Sequence, residues 1–277
     1  MIRVPHRFVL LAVIGTLITG QGAGAQAAPA PVDSAIPDHQ LFHRSDLYVA
    51  AGFAVATVAL LPADRHLTSV FRDEDLLNNS SAKHLASVGS FLGGPGPLII
   101  GPAMYLVGRF GHIPRMAELA VHGTEAVVVG SGIASVIKAA AGRRRPYAVS
   151  DSNSRDFSFG RGLSNDSSKS FPSGHATAAF SAAAAVVAET SEWWPNSTWY
   201  VAPVMYGGAT IVGLSRIYND QHWASDVLMG AAIGTFSGLK VVRFNHTHSG
   251  NRLDRILLGA RVVPTGNGPA LAFSSAF

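Results

Sequence analysis

From Leu47 to Val242 the sequence is a succession of apolar runs, each closed by proline, glycine or a polar stretch, with almost no strand-like alternation. Such runs bury themselves as helices packed side by side, so an all-α chain is the starting expectation. Leu47–Leu61 follows Ser45-Asp46 and stops at Pro62, which are start and stop signals of a helix. Ala82–Leu92 reads as a short amphipathic helix broken by Gly93-Gly94-Pro95-Gly96-Pro97, and Pro97–Val107 as a short or kinked one around Pro102. Pro114–Ala141 runs to Gly142 and the basic Arg143-Arg144-Arg145, and His175–Glu189, Trp199–Leu214 and His222–Val242 follow. Together they predict a helical bundle of about six core helices. Alternation enters only at the end, where Leu257–Thr265, Gly266-Asn267-Gly268 and Pro269–Phe277 predict a short C-terminal β-hairpin.

Composition narrows the function classes. Hydrophobic residues make up 48% of the chain and charged residues 14%. The latter is well below the roughly 25% of ordinary soluble domains and allows membrane contact. The absence of cysteine excludes disulfides, thiolate metal sites and thiol catalysis. The net charge of +4 falls close to balance once Arg3 and Arg7 are set aside, and no basic stripe is interleaved with aromatics. A nucleic-acid partner is therefore not expected.

Residues 1–27 have the anatomy of a signal peptide: basic Arg3 and Arg7, an apolar Phe8–Ile18, then Ala23-Gly24-Ala25 and Ala25-Gln26-Ala27 as cleavage sites. The expected organisation is thus a signal peptide at 1–27, a functional domain at 28–250 and a tail at 251–277. The expected location is the periplasm or the periplasmic face of the inner membrane.

Three clusters near helix ends carry the chemistry. They are Lys138 with Arg145-Pro146; Pro172-Ser173-Gly174-His175, where the polar loop Tyr147–Phe171 enters a helix; and Ser215-Arg216 with His222 and Asp226. Lys138, Arg145 and Arg216 supply fixed positive charge suited to a tetrahedral oxyanion. Ser173 and Gly174 stand where unpaired backbone N–H groups and the helix dipole favour an anion. His222 and Asp226 are four residues apart and share a helical face, so Asp226 is expected to accept the Nδ1 proton of His222. That leaves Nε2 free to attack phosphorus. His175, beside the anion site, is placed to protonate a leaving oxygen and later to activate water. A phosphate ester, with a lipid among the options, is the partner this chemistry asks for, with no metal and no cofactor.

These three clusters resemble the tripartite signature of the type 2 phosphatidic acid phosphatase superfamily, which includes class A acid phosphatases, lipid phosphatases and vanadium haloperoxidases. The resemblance spans Lys138 to Asp226, about a third of the chain. It implies a helical bundle, a phosphohistidine on His222, and phosphate held by Lys138, Arg145, Ser173, Gly174 and Arg216. It also makes His175 the general acid and base and Asp226 the partner of His222. Two alternatives stay open: a vanadium-dependent haloperoxidase, and a catalytically silent anion-binding envelope protein.

Trp193, Trp194, Trp199 and Tyr200 fall between two apolar helices, at the end opposite His175, either as an interfacial belt or as a packed aromatic corner. Most apolar runs have fewer than the ~20 residues of a comfortable span, which favours an exported domain touching the membrane over an integral one. His246 and His248 read as a polar loop rather than metal ligands. His122 and Glu125 read as a buried polar pair in a packing role. Gly130 and Gly132 are expected to permit close helix contact.

Overall fold

The structure is a computed structural model describing residues 40–149, 153–248, 251–265 and 268–273; of 260–273 only the course of the backbone is described. The expected signal peptide at 1–27 lies outside the described residues. Ten α-helices are found among them: α1 Arg44–Leu60, α2 Asp64–Phe71, α3 Glu74–Asn78, α4 Ser80–Gly93, α5 Gly96–Phe110, α6 Pro114–Ala141, α7 Gly174–Trp193, α8 Thr198–Tyr218, α9 Ala224–Thr247 and α10 Arg252–Leu257. Strands β1 Ala260–Thr265 and β2 Gly268–Phe273 pair antiparallel, with Val262 opposite Leu271. The all-α expectation with a terminal hairpin agrees with this.

Helix α7 is the centre, packed by α6, α8 and α9. Its sequence is rich in alanine, and Ala176, Ala178, Ala183, Ala184 and Ala185 are all buried. Small side chains let neighbouring backbones approach closely, exchanging side-chain bulk for many van der Waals contacts. Helix α9 answers with glycine every fourth residue, so that Gly230, Gly234 and Gly238 share one face. A Cβ on Gly234 would stand 2.4 Å from the Thr177 carbonyl oxygen, and one on Gly238 2.6 Å from the Ala184 Cβ. Gly130 of α6 behaves alike, its missing Cβ falling 2.5 Å from Ser181 Oγ. Gly132 does not: a Cβ there meets nothing within 4 Å among the described residues. Two residues on, the helix has turned by about 200°, so the pair cannot both face α7.

Helix ends fix the loops that carry function. Proline opens α6, and Gly142 closes it in the left-handed region at φ 55°. Ser173 caps α7, accepting from the Ala176 N–H at 3.3 Å. The long polar loop holds three short 3₁₀ turns, Pro146–Ala148, Arg161–Leu163 and Asp166–Ser168, and folds back onto the end of α6. Arg144 N–H donates to the Asp156 carbonyl at 3.0 Å, Arg145 N–H to that of Ser167 at 2.8 Å, and Ser170 N–H to that of Arg143 at 3.0 Å.

Helix lengths correct the sequence reading. Three segments, Arg44–Phe71, Pro114–Ala148 and Ala224–Thr247, are long and apolar enough to cross a membrane. Helices α4 and α5 add a fourth if taken as one span bent by 61°. Counting only strongly apolar runs missed the alanine, glycine and serine turns that extend each helix. The apolar window of the first segment is only 6% buried, and Leu98, Ile99, Leu106, Val107 and Phe110 of α5 are exposed. Apolar surface on that scale is what a lipid environment covers. Trp199 is 77% exposed and Trp194 51%, so the aromatic cluster is an outward-facing belt rather than a packed corner.

Candidate active site

The C-terminus of α6, the N-terminus of α7, the end of α8 and the start of α9 meet at one end of the bundle. All eight residues singled out in the sequence lie on these elements or the turns adjoining them. Lys138, in the last turn of α6, donates to the carbonyls of Lys169 at 2.8 Å and Pro172 at 2.7 Å. Its ammonium is thereby fixed against the peptide preceding α7. Arg145 donates through Nη1 to Gln221 Oε1, and Arg216, 92% buried, donates through Nη1 to Ser90 Oγ at 2.8 Å. The Nε atoms of Arg145 and Arg216 are buried with no hydrogen-bond partner among the described residues. Buried guanidinium donors are costly to leave unpaired, so two such donors mark where an anion is received.

Ser173 and Gly174 present the first turn of α7. Among the described residues, nothing beyond its own chain neighbours and helix backbone lies within 4 Å of where a Gly174 Cβ would be. The glycine therefore keeps open space above the helix N-terminus, where N–H groups and dipole favour negative charge. His175 follows, and on its other side α4 ends in Gly93-Gly94. A Cβ on Gly94 would stand 3.0 Å from His175 Nε2. Burial first, and then the charges of Arg216, Lys138 and Arg145, lower the His175 pKa to about 4.

His222 sits in the turn before α9, almost fully buried. Its Nδ1 lies 2.7 Å from the Ser170 carbonyl oxygen and donates there, leaving Nε2 as the unprotonated nitrogen. Burial, reinforced by Lys138 and Arg145 and opposed by Asp226, lowers its pKa to about 3. The ring is thus held neutral.

Asp226 does not take the expected place. It is 3.7 Å from His222 Nδ1, too long for a hydrogen bond. Its carboxylate accepts instead from Ser170 Oγ at 2.5 Å, from the Trp223 N–H at 2.9 Å and from Arg143 Nη1. The i, i+4 argument fails because His222 precedes the helix, while Asp226 sits in its first turn and turns back to the helix start.

Arg143, the first of the basic Arg143-Arg144-Arg145, is fully buried. It donates to Asp64 Oδ2 at 2.6 Å, to Ser225 Oγ at 2.7 Å and to the Ser154 carbonyl at 2.9 Å, besides Asp226. Asp64 also accepts from the Ser225 N–H at 2.8 Å. Sequence reasoning missed Asp64, Ser90, Arg143 and Ser170; each meets its partner across a distant loop or helix, and no local spacing marks them.

Residues 121–249 match the family model of the PAP2 superfamily. Over 88 residues, 31% of this chain, the sequence is 43% identical to a Lipid A 1-phosphatase of Porphyromonas gingivalis. The match covers 19% of that relative, so the comparison concerns a segment of it. The fold is similar to the crystal structure of the first transmembrane PAP2 type phosphatidylglycerolphosphate phosphatase from Bacillus subtilis. That likeness has a TM-score of 0.50 at 19% identity and covers 74% of this chain and 97% of that one.

Proposed function

We propose, from the premise that residues 121–249 form a PAP2-superfamily domain, that this chain is an integral-membrane phosphatase of lipid phosphate monoesters working through a phosphohistidine on His222. The observation that carries the reading is the pair of buried, unpartnered guanidinium Nε atoms of Arg145 and Arg216, in the cluster that holds a neutral, oriented His222. Lys138, Arg145 and Arg216 bind the phosphoryl oxygens together with the N-terminus of α7. His222 Nε2 attacks phosphorus as the bond to the leaving oxygen breaks, and protonated His175 gives that oxygen its proton. Water then attacks phosphorus, His175 takes the water's proton, and the P–N bond returns its electron pair to His222. Burial first, and then three cations, keep His175 neutral in the free site; the phosphate charge offsets the cations, so substrate binding itself raises the acid's pKa.

A lipid leaving group is supported by the loop over this end of the bundle, where Phe159 is 91% and Leu163 76% exposed. Side chains of that kind lie readily in a membrane surface. The signal-like residues 1–27 favour a periplasmic site, the active-site end of the bundle facing outward.

A single-turnover experiment tests the chemistry. Protein mixed with radiolabelled lipid phosphate and quenched in alkaline detergent retains label that survives alkali and is lost in acid, and His222→Ala retains none. An unlabelled wild type, or undiminished label on His222→Ala, refutes the mechanism. Lys138→Ala and Arg216→Ala each lower kcat by about 10²–10³-fold, the typical loss of one fixed transition-state donor. Turnover persists in EDTA; its abolition there, in protein whose circular dichroism shows the fold intact, refutes a metal-independent reaction.

A further inference from the structure

At the end of the bundle away from the active site, four side chains from three helices converge: Glu118 and His122 of α6, Glu189 of α7 and His246 of α9. One ligand atom from each lies within 4.8 Å of all the others. We propose that these four residues bind a divalent first-row metal ion, zinc above all, in a structural site separate from the phosphate pocket.

The geometry is that of helix-bundle metal sites, in which i, i+4 ligands on one helix face single ligands from its neighbours. Because α6 runs opposite to α7 and α9, His122, Glu189 and His246 come level at this end. His122 and Lys138 are sixteen residues apart, about 24 Å along a helix, so the cluster lies clear of the reaction.

The chemistry of the donor set is specific. Glu189 and His122 are fully or almost fully buried. The Glu189 carboxylate reaches both imidazoles, with Oε1 against His122 Nδ1 and Oε2 2.9 Å from His246 Nε2. The two rings are nearly perpendicular, at 79°, with centroids 5.8 Å apart, so a nitrogen of each faces the same carboxylate. His122 Nε2 lies 3.2 Å from Asp254 Oδ1. With Nδ1 on the metal, that contact is the carboxylate–histidine arrangement that orients metal-bound imidazoles. Glu118, half-buried, interacts electrostatically with both imidazoles across the cluster. Three carboxylates, Glu118, Glu189 and Asp254, beside two neutral imidazoles carry a charge of −3, which a divalent cation reduces to −1. Donor atoms at about 2.0–2.2 Å from zinc in a tetrahedron sit closer together than here, so small side-chain rotations complete the site.

The test uses the full chain purified in detergent, stripped with chelator and dialysed, with zinc and cobalt as probes. Elemental analysis after equilibrium dialysis at micromolar free zinc gives one zinc per chain, and cobalt gives the intense visible bands of a four-coordinate site. Glu118→Gln and His246→Gln, both at the rim and checked for folding by circular dichroism, weaken zinc binding at least about tenfold. His222→Ala keeps one zinc per chain. The proposal is overturned by substoichiometric zinc on the wild type, by undiminished binding in both rim variants, or by loss of zinc in His222→Ala. None of these readouts involves turnover, so the metal site and the phosphatase mechanism stand or fall separately.

Discussion

At the residue scale, burial and one carbonyl hold His222 in the neutral, oriented form that the proposed nucleophile requires. The Ser170 carbonyl selects the tautomer, and burial lowers the pKa from the ordinary 6.5 to about 3. Between those values the unfolded chain binds a proton that the folded chain refuses, so stability falls as pH drops from 6.5 towards 3. Thermal midpoints measured across that interval decline in the wild type, and the decline is shallower in His222→Gln, which has no such proton to bind. Asp226 acts one step back, holding Arg143, Ser170 and the start of α9. Asp226→Ala leaves Arg143 short of a partner in the interior and costs about 3–5 kcal/mol, as broken buried ion pairs do. Ser170→Ala keeps the carbonyl and loses one hydrogen bond, costing about 1–3 kcal/mol with the unfilled Asp226 oxygen. Equal melting temperatures for the two variants contradict this ordering. Lys138, Arg145 and Arg216 could be singled out from the sequence because a phosphate site calls for several fixed cations, and the fold brings all three to one end of the bundle. Arg143 could not, since a buried and a solvated arginine look alike until Asp64 and Asp226 are brought to it. The same blindness hid the His122 cluster, read as a pair with Glu125, whereas Glu125 accepts from Asn245.

At the scale of elements, the α7–α9 contact sets the distance between His175 on one helix and the turn carrying His222 before the other. The glycine face of α9 permits that distance. Gly234→Ala places a methyl 2.4 Å from the Thr177 carbonyl oxygen and 2.9 Å from the Phe180 Cβ. Backbone cannot yield locally, so the helices separate, at a cost of about 1–3 kcal/mol and with a larger loss of kcat than of stability. Gly132→Ala meets no described atom within 4 Å and serves as the control, leaving kcat unchanged and, as an alanine in a helix interior, not lowering stability. If both variants behave alike in turnover and unfolding assays, the glycine stripe is not what positions the site. Helix existence could be read from the sequence; the face each glycine occupies depends on packing partners, as Gly130 and Gly132 show.

At the scale of the whole molecule, reactive groups gather at one end and the aromatic belt of Trp193, Trp194 and Trp199 at the other, where Arg115 lies 5.1 Å over the Trp194 ring. The absence of cysteine makes this polarity easy to measure. In intact cells a membrane-impermeant maleimide labels Phe159→Cys, on the loop over the site, and labels Trp199→Cys only after permeabilisation. The reverse pattern places the site on the inner face and overturns the proposed orientation. Sequence reading underestimated the spans because their alanine and glycine turns, which serve helix packing, dilute the hydrophobic signal.

The ion network beneath His222 also carries a consequence for biogenesis. Asp64 and Ser225, joined by a 2.8 Å hydrogen bond, are separated by 161 positions. Arg143 links that pair to Asp226 from the middle of the chain. A nascent polypeptide has already made Lys138, Arg145 and Arg216 when the ribosome reaches the last long helix, yet Asp226, which ties Ser170 and the turn carrying His222 to Arg143, is still missing. Under the proposed mechanism, phosphoryl transfer switches on late in translation, and a chain released before α9 stays inert instead of half-active.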